Sequence, residues 1–321
     1  MTTAGEGRVA LPERIIIASR ESALAMWQAR HVQSRLAESY PGADITILGM
    51  TTEGDRRLGI SLARIGGKGL FVKELEDALL ERRADVAVHS LKDVPMTLAA
   101  GLTLAAVIER ADPRDALVSP HYRRLADLPA GSRVGTSSLR RASQLLARQP
   151  GLSIEPLRGN VPTRLRKLDE GNYQAIVLAA AGLKRLGLEE RITALLTVDE
   201  SVPAVGQGAL ALECRADRSD LMMWLRPLHH APTAACVAAE RSFSRALAGS
   251  CNVPLGGYAE LSAGRLRLRG FVAAPDGTQI LRGEAEGAVE TPEMIGQTLA
   301  AMLRERGADE ILAALEDISE R

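Results

Sequence analysis

The sequence predicts an α/β fold: two α/β domains followed by a small α+β domain at the C-terminus. Two features of the first two-thirds carry the first part. Short apolar, β-like runs alternate with helical patterns there, and that β-α-β rhythm implies a largely parallel sheet covered by helices. The rhythm stops at a polar break around 109–115 and restarts beyond it, which separates two such units. The third feature is a change of character after 229, where a long helical pattern precedes strand-like runs joined by the turn residues Pro275-Asp276-Gly277.

Taken in order, 14–18 reads as a strand, 22–39 as a helix, 44–50 as a strand, 70–83 as a helix and 85–89 as a short buried strand. After the break, strands are expected at 132–135, 153–157 and 175–179, with helices at 139–148, 163–170 and 180–186. The apolar run 204–213, carrying Gly206, Gln207 and Gly208, is suited to cross back to the first unit. The last unit should hold a helix at 231–248, strands at 258–262, 265–271 and 279–286, and helices at 292–306 and 308–316. The expected domains are 1–109 with 209–228, then 110–208, then 229–321.

The chain has 321 residues, 46% hydrophobic and 25% charged, and a net charge of zero. That is the make-up of a multidomain globular protein with no bulk attraction to nucleic acid or membrane. No run approaches the roughly 18 apolar residues of a membrane span, and residues 1–13 lack the pattern of a secretory signal. The expectation is a cytoplasmic protein. Three scattered cysteines, Cys214, Cys236 and Cys251, show neither a disulfide framework nor metal-ligand spacing, so no metal is expected. Only five of the 40 cations are lysine. Arginine's fork donates two parallel hydrogen bonds, which suits it to gripping carboxylates.

Ligands of open α/β sheets sit beyond the carboxyl ends of the strands, and four polar clusters fall there. Ser19-Arg20-Glu21-Ser22 follows the first strand, with Ser22 placed to cap a helix whose N-terminus favours an anion. Ser90-Leu91-Lys92-Asp93 puts a lysine beside a carboxylate, a pairing suited to proton transfer or an ionised ligand. Gly135-Thr136-Ser137-Ser138-Leu139-Arg140-Arg141 joins hydroxyls and two guanidiniums at a helix start. Arg158-Gly159-Asn160-Val161-Pro162-Thr163-Arg164 flanks another helix start with arginines. Residues 65–69 form a glycine-rich loop around Lys68 that fails the phosphate-loop pattern. His89, His229 and His230 lack matching nucleophiles and read as structural. Cys251, in Gly249-Ser250-Cys251-Asn252-Val253-Pro254, sits in a loop-forming segment where a thiol is accessible, whereas Cys214 and Cys236 read as core. On residues alone, a non-enzymatic anion binder and an enzyme using Lys92 as a Schiff-base lysine both stay open.

The segments 66–71, 89–95, 135–141, 157–160, 178–187 and 203–208, together with the Cys251 loop, resemble in sequence and order the hydroxymethylbilane synthase (porphobilinogen deaminase) family. The resemblance runs from about residue 14 to the C-terminus. It implies two domains like those of type II periplasmic binding proteins and a third domain carrying a dipyrromethane cofactor in thioether linkage to Cys251. The implied reaction joins four porphobilinogen molecules to that primer, each losing ammonia, and releases linear hydroxymethylbilane by hydrolysis. By the same resemblance Asp93 is catalytic, and Ser90, Lys92, Thr136, Ser138, Arg140, Arg141 and Arg164 hold the cofactor. Arg20, Ser22, Lys68, Arg158 and Arg185 hold substrate, and the protein is a monomer. Ala18-Ser19-Arg20 and Ser250 depart locally from the family's usual residues without removing a functional group.

Overall fold

The computed structural model describes residues 11–56, 72–247 and 253–319. Lys68 and its glycine-rich segment, Leu70, Phe71 and Cys251 lie outside the described residues.

The chain opens with β1 (Arg14–Arg20), α1 (Ala23–Ser39), β2 (Asp44–Met50), a short α2 (Glu53–Arg56), α3 (Lys73–Leu80), β3 (Val86–Ser90) and β4 (Leu102–Val107). It continues with β5 (Asp115–Val118), β6 (Arg133–Gly135), α4 (Leu139–Arg148), β7 (Ser153–Glu155), α5 (Val161–Asp169), β8 (Ala175–Ala179), α6 (Ala180–Arg185) and β9 (Ala194–Leu195). Then come β10 (Leu210–Arg215), α7 (Ser219–Leu225), α8 (Ala231–Ala246), β11 (Leu255–Ser262), β12 (Arg265–Ala273), β13 (Ile280–Ala288), α9 (Pro292–Arg304) and α10 (Ala308–Ser319).

Two five-stranded sheets share one plan. The first has the order β2-β1-β3-β10-β4 and the second β7-β6-β8-β5-β9. In each, a central strand pairs in parallel with two neighbours: β1 with β2 and β3, β6 with β7 and β8. The antiparallel member is in each case the strand that has just arrived from the other sheet: β10 between β3 and β4, β5 between β8 and β9. The third sheet, β11-β12-β13, is an antiparallel meander with α8 and α9 against it.

The local reasons are visible in the chain. α1 buries Ala25, Gln28, Ala29, Val32 and Leu36, a helical stripe laid on β1 and β3. β3 is buried from Val86 to His89, as a strand covered on both faces must be. The third unit closes on Phe243, Leu266, Leu268 and Leu299, all wholly buried. Gly296 is required there, since a Cβ would meet the Ala239 carbonyl oxygen at 2.4 Å.

The two crossings between the sheets run side by side, with Ile108 N–H donating to Leu210 O at 3.0 Å and Ala111 N–H to Gly208 O at 3.1 Å. Gly208 has φ +90°, and a Cβ would stand 2.6 Å from Ala111 O. The return of 204–213 to the first sheet is as the sequence predicts. The break at 109–115 is shorter than predicted: Asp115 is already the first residue of β5 and is wholly buried. β4, β5 and β9 carry no strong alternation of their own, and their places come from pairing with strands distant in sequence. No helix among the described residues is long and apolar enough to cross a membrane.

Candidate functional site

The polar clusters sit where the parallel strands end. Arg20 is the last residue of β1, and Ser22 caps α1, its Oγ accepting from Ala25 N–H at 3.3 Å. Ser90 ends β3, its Oγ accepting from Gln28 Nε2 at 2.8 Å. A single 3₁₀ turn, Leu91–Asp93, then carries Lys92 and Asp93, with Leu91 buried beneath it and Asp93 exposed. Arg20, Ser22, Gln28, His89, Ser90 and Asp93 line one hollow at this edge of the first sheet.

The second sheet offers the matching edge. Ser138 caps α4, accepting from Arg141 N–H at 3.4 Å, and Thr136 Oγ1 accepts from Ser138 N–H at 3.1 Å. Ser137 Oγ both donates to Leu157 O and accepts from Leu157 N–H, each at 3.1 Å, which joins this loop to the next. There Asn160 caps α5 by accepting from Thr163 N–H at 3.0 Å, with Pro162 in the first turn. Arg158 precedes that cap, and Arg164 Nε donates to Gly159 O at 2.7 Å.

Electrostatics link the two edges. Burial pushes Lys92 down to about 8, Arg141 and Arg140 of the opposite edge push the same way, and Asp93 and Asp115 oppose them. Lys92 nevertheless keeps part of its surface open to solvent, so its charge is reachable by a ligand. Arg164 is likewise drawn down to about 10, by burial and by Arg141 and Arg158, with Asp93 opposing. Asp93 and Lys92 of one sheet thus share a field with Arg140, Arg141, Arg158 and Arg164 of the other.

The arginine pair has a partner that sequence reasoning missed. Asp115 lies wholly buried between Arg140 and Arg141, themselves buried, at 2.8 Å from each. It also accepts from Ser201 Oγ at 2.7 Å and Gln207 Nε2 at 3.0 Å. Burial alone would raise this carboxyl, but the two guanidiniums outweigh it and hold the group far below the usual carboxylate range. Arg140 also donates to Val202 O at 2.6 Å. The predicted anion-binding pair is therefore tied in large part to an internal carboxylate, with one net positive charge left over.

Arg185 lies at the contact of α1 and α6. Its Nη2 donates to Gly208 O at 2.7 Å, and its guanidinium lies over the Trp27 ring, 5.7 Å from the centroid. Burial lowers it to about 10. His229 and His230 are structural: His229 Nδ1 accepts from Val107 N–H, and His230 caps α8. His89, buried in the wall of the hollow, pairs with buried Glu213 at 2.9 Å. Cys214 and Cys236 are buried and free, with burial raising both thiols to about 11.

The third unit reaches this region. β11, which follows the Cys251 segment, lies against 202–203: Gly257 N–H donates to Pro203 O at 3.1 Å, and a Cβ on Gly256 would be 3.0 Å from Val202 O. Glu240 of α8, wholly buried, accepts from Arg110 Nη2 at 2.8 Å, Gly206 N–H at 2.7 Å and Ala259 N–H at 2.8 Å. These long-range partners left no local mark in the sequence.

Fold and charge together define an α/β protein in which two sheets of like topology end in polar, arginine-bearing loops, with a third unit that contacts both. A model of "Porphobilinogen deaminase, dipyromethane cofactor binding domain" matches residues 15–223, and one of "Porphobilinogen deaminase, C-terminal domain" matches 234–305. The chain belongs to the porphobilinogen deaminase family, a family of enzymes. It is 62% identical to the porphobilinogen deaminase of Nitrosomonas europaea over 304 residues, 95% of this chain and 99% of that one. It is 64% identical to that of Methylobacillus flagellatus over 304 residues, 95% and 98% of the two chains. Among solved structures, the methionine-binding protein MetQ aligns with a TM-score of 0.45 at 14% identity, over 67% of this chain and 89% of that one.

Proposed function

We propose that this enzyme is a hydroxymethylbilane synthase, joining four porphobilinogen molecules with loss of ammonia and releasing the linear tetrapyrrole by hydrolysis. The observation that carries the reading is the hollow at the strand ends of the first sheet, where Arg20, Ser22, Ser90 and Asp93 meet, beside a part-buried lysine, Lys92, that senses Arg140 and Arg141. Each pyrrole brings an acetate and a propionate, so the growing chain gathers carboxylates that need paired cations and hydrogen-bond donors when they leave water. The donor set fits such a group: a part-exposed lysine, a net-positive arginine pair, Arg158, Arg164 and the hydroxyls of Ser90, Thr136 and Ser138. The dipyrromethane, held through Cys251, would supply the free pyrrole end on which the product grows.

In this reading Asp93 is the catalytic carboxylate. It is exposed on a rigid turn at the rim of the hollow, where it can stabilise the cation left when porphobilinogen loses ammonia and accept a proton as rings couple. Ser90, Lys92, Thr136, Ser138, Arg140, Arg141 and Arg164 hold the cofactor, and Arg20, Ser22, Lys68, Arg158 and Arg185 hold substrate. The sheet memberships support domains at 1–109 with 209–228, 110–208 and 229–321. The same reading gives a cytoplasmic monomer whose partner is porphobilinogen, not nucleic acid or membrane.

The test is the intact mass of the denatured protein beside its Cys251→Ser variant. Excess mass equal to two linked pyrroles, absent from the variant, is expected. A bare polypeptide mass from cells supplied with porphobilinogen would overturn the covalent-primer reading.

A further inference from the structure

We propose that Arg241, on the third unit's helix α8, is a positioning residue that holds the Asp93 turn in place from the third unit. The inference rests on the reading of Asp93 as the reacting carboxylate.

Arg241 is 8% exposed and points away from its own sheet, into the first unit. Its Nη1 donates to Val94 O at 3.3 Å, and its Nη2 donates to Pro95 O at 2.7 Å and Met96 O at 3.2 Å. These are the three carbonyls that directly follow Asp93. One planar, preorganised donor group therefore holds three successive peptide carbonyls, from two nitrogens at fixed separation, where an ammonium would offer its donors from a single point.

The contact is reinforced by apolar packing on both sides of it. Val237, one turn earlier on α8, shares a core with Leu91 and Val94, which flank Lys92 and Asp93. Met96 packs into the third unit's own core, together with Val253 just past the Cys251 segment. Leu91 is held from a third direction, since a Cβ on Gly206 would come within 2.8 Å of it. The 3₁₀ turn closes with Val94 N–H donating to Leu91 O at 3.1 Å.

A surface loop would not need a buried cation behind it. Burial, with Arg245 nearby, draws Arg241 down to about 10, and the buried Glu213 carboxylate partly offsets this. The charge is thus kept in place at an energetic cost, and what it visibly does is aim the backbone after Asp93. The helix that makes this contact ends at Ala246, with Leu247 as its C-cap. The turn that carries Asp93 is in this way tied to a helix of the third unit.

The experiment uses the holoenzyme with Arg241→Ala and Arg241→Lys. Misplacing a reacting group by about 1 Å can cost on the order of 100-fold in rate. Arg241→Ala should therefore lose kcat on that scale with KM nearly unchanged. Amide exchange should speed up across 91–96 while β3 and β10 keep their protection, and dilute guanidinium should restore part of the rate by filling the vacated space. Arg241→Lys should fall between the two, and it carries the test if the alanine variant does not fold. A parental kcat in either soluble variant, or a kcat loss without faster exchange at 91–96, overturns the proposal. Asp93→Asn separates the two readings. If it keeps turnover, the role of Asp93 falls, while exchange at 91–96 still reports whether Arg241 holds the turn.

Discussion

Arg141 donates twice to one oxygen of Asp115, from Nε at 3.0 Å and from Nη2 at 2.8 Å, in a place where Asp115 has no contact with solvent. Arg140 completes the group at 2.8 Å on the other oxygen. Asp115→Asn would leave two buried guanidiniums without a counter-charge. Breaking one side of a buried ion pair costs about 3–5 kcal/mol, so urea denaturation should show a loss of that size. A loss within the scatter of surface substitutions would mean that the arginines are neutralised elsewhere.

The same geometry decides which arginine variant reports on binding. Arg141→Leu takes from the buried Asp115 one of its two guanidinium partners, so its effects on activity and on folding arrive together. Arg164 is a cleaner probe, because its one hydrogen bond among the described residues goes to Gly159 O. Arg164→Leu should weaken retention of the pyrrole carboxylates while shifting the melting temperature by only a few degrees. Activity and thermal melts on one preparation check this. A parental KM and a full set of elongation intermediates would remove Arg164 from the site.

Asp93 is exposed on a three-residue turn whose apolar anchor is its neighbour Leu91. Asp93→Asn keeps size and shape, so stability should move by no more than about 0.5 kcal/mol. Turnover of porphobilinogen should fall by a factor of about 100 to 1,000, as when one electrostatic stabiliser of a transition state is removed. Single-turnover kinetics beside a melting curve separate the two effects. Near-parental turnover would move the catalytic role to another group.

Much of this was legible in the chain because it is local. The Ser22, Ser138 and Asn160 caps follow from residue type and spacing, and the polar clusters mark strand ends because buried strands stop where polarity begins. What was not legible is pairing over long separations. Asp115 read as part of a polar break, yet it opens β5 and meets Ser201 and Gln207 across more than eighty residues. Arg140 and Arg141 read as free forks, and nothing near them in sequence announces their carboxylate. Glu240 and Arg241 sit inside an ordinary helical pattern, and only the packing of α8 on the first unit shows that they bind backbone far away.

Gly208 is fixed by a clash that side-chain rotation cannot relieve. Its φ is +90°, and the atom a Cβ would strike is the backbone oxygen of Ala111 at 2.6 Å. Gly208→Ala should therefore destabilise by more than about 1 kcal/mol. The loss should localise to the paired crossings, because Ala111 N–H and Arg185 both donate to Gly208 O. Faster amide exchange at 108–111 with unchanged exchange in the third sheet is expected. Parental stability would mean that the two crossings move apart freely.

Lys92 gives the site a pH signature whose sign can be worked out. Its folded-state value, about 8, lies below the ordinary 10.5. Between these values the unfolded chain holds the proton and the folded chain does not, so stability rises with pH across that window. Below about 8 the folded protein carries an ammonium pressed by burial and by Arg141 and Arg140, with Asp93 and Asp115 only partly offsetting them. Lys92→Met removes that load. In the Cys251→Ser background, where the proposed primer cannot attach, the methionine variant should melt above its parent at pH 7. The gap should narrow as pH climbs from about 8 to 10.5, because the parent lysine sheds its proton there. With primer attached the order should reverse at pH 7, since a carboxylate beside Lys92 stabilises its charged form and methionine cannot answer it. Melting curves of the four proteins across this range decide the matter, and a gap that ignores pH in both backgrounds would show that Lys92 keeps an ordinary proton affinity.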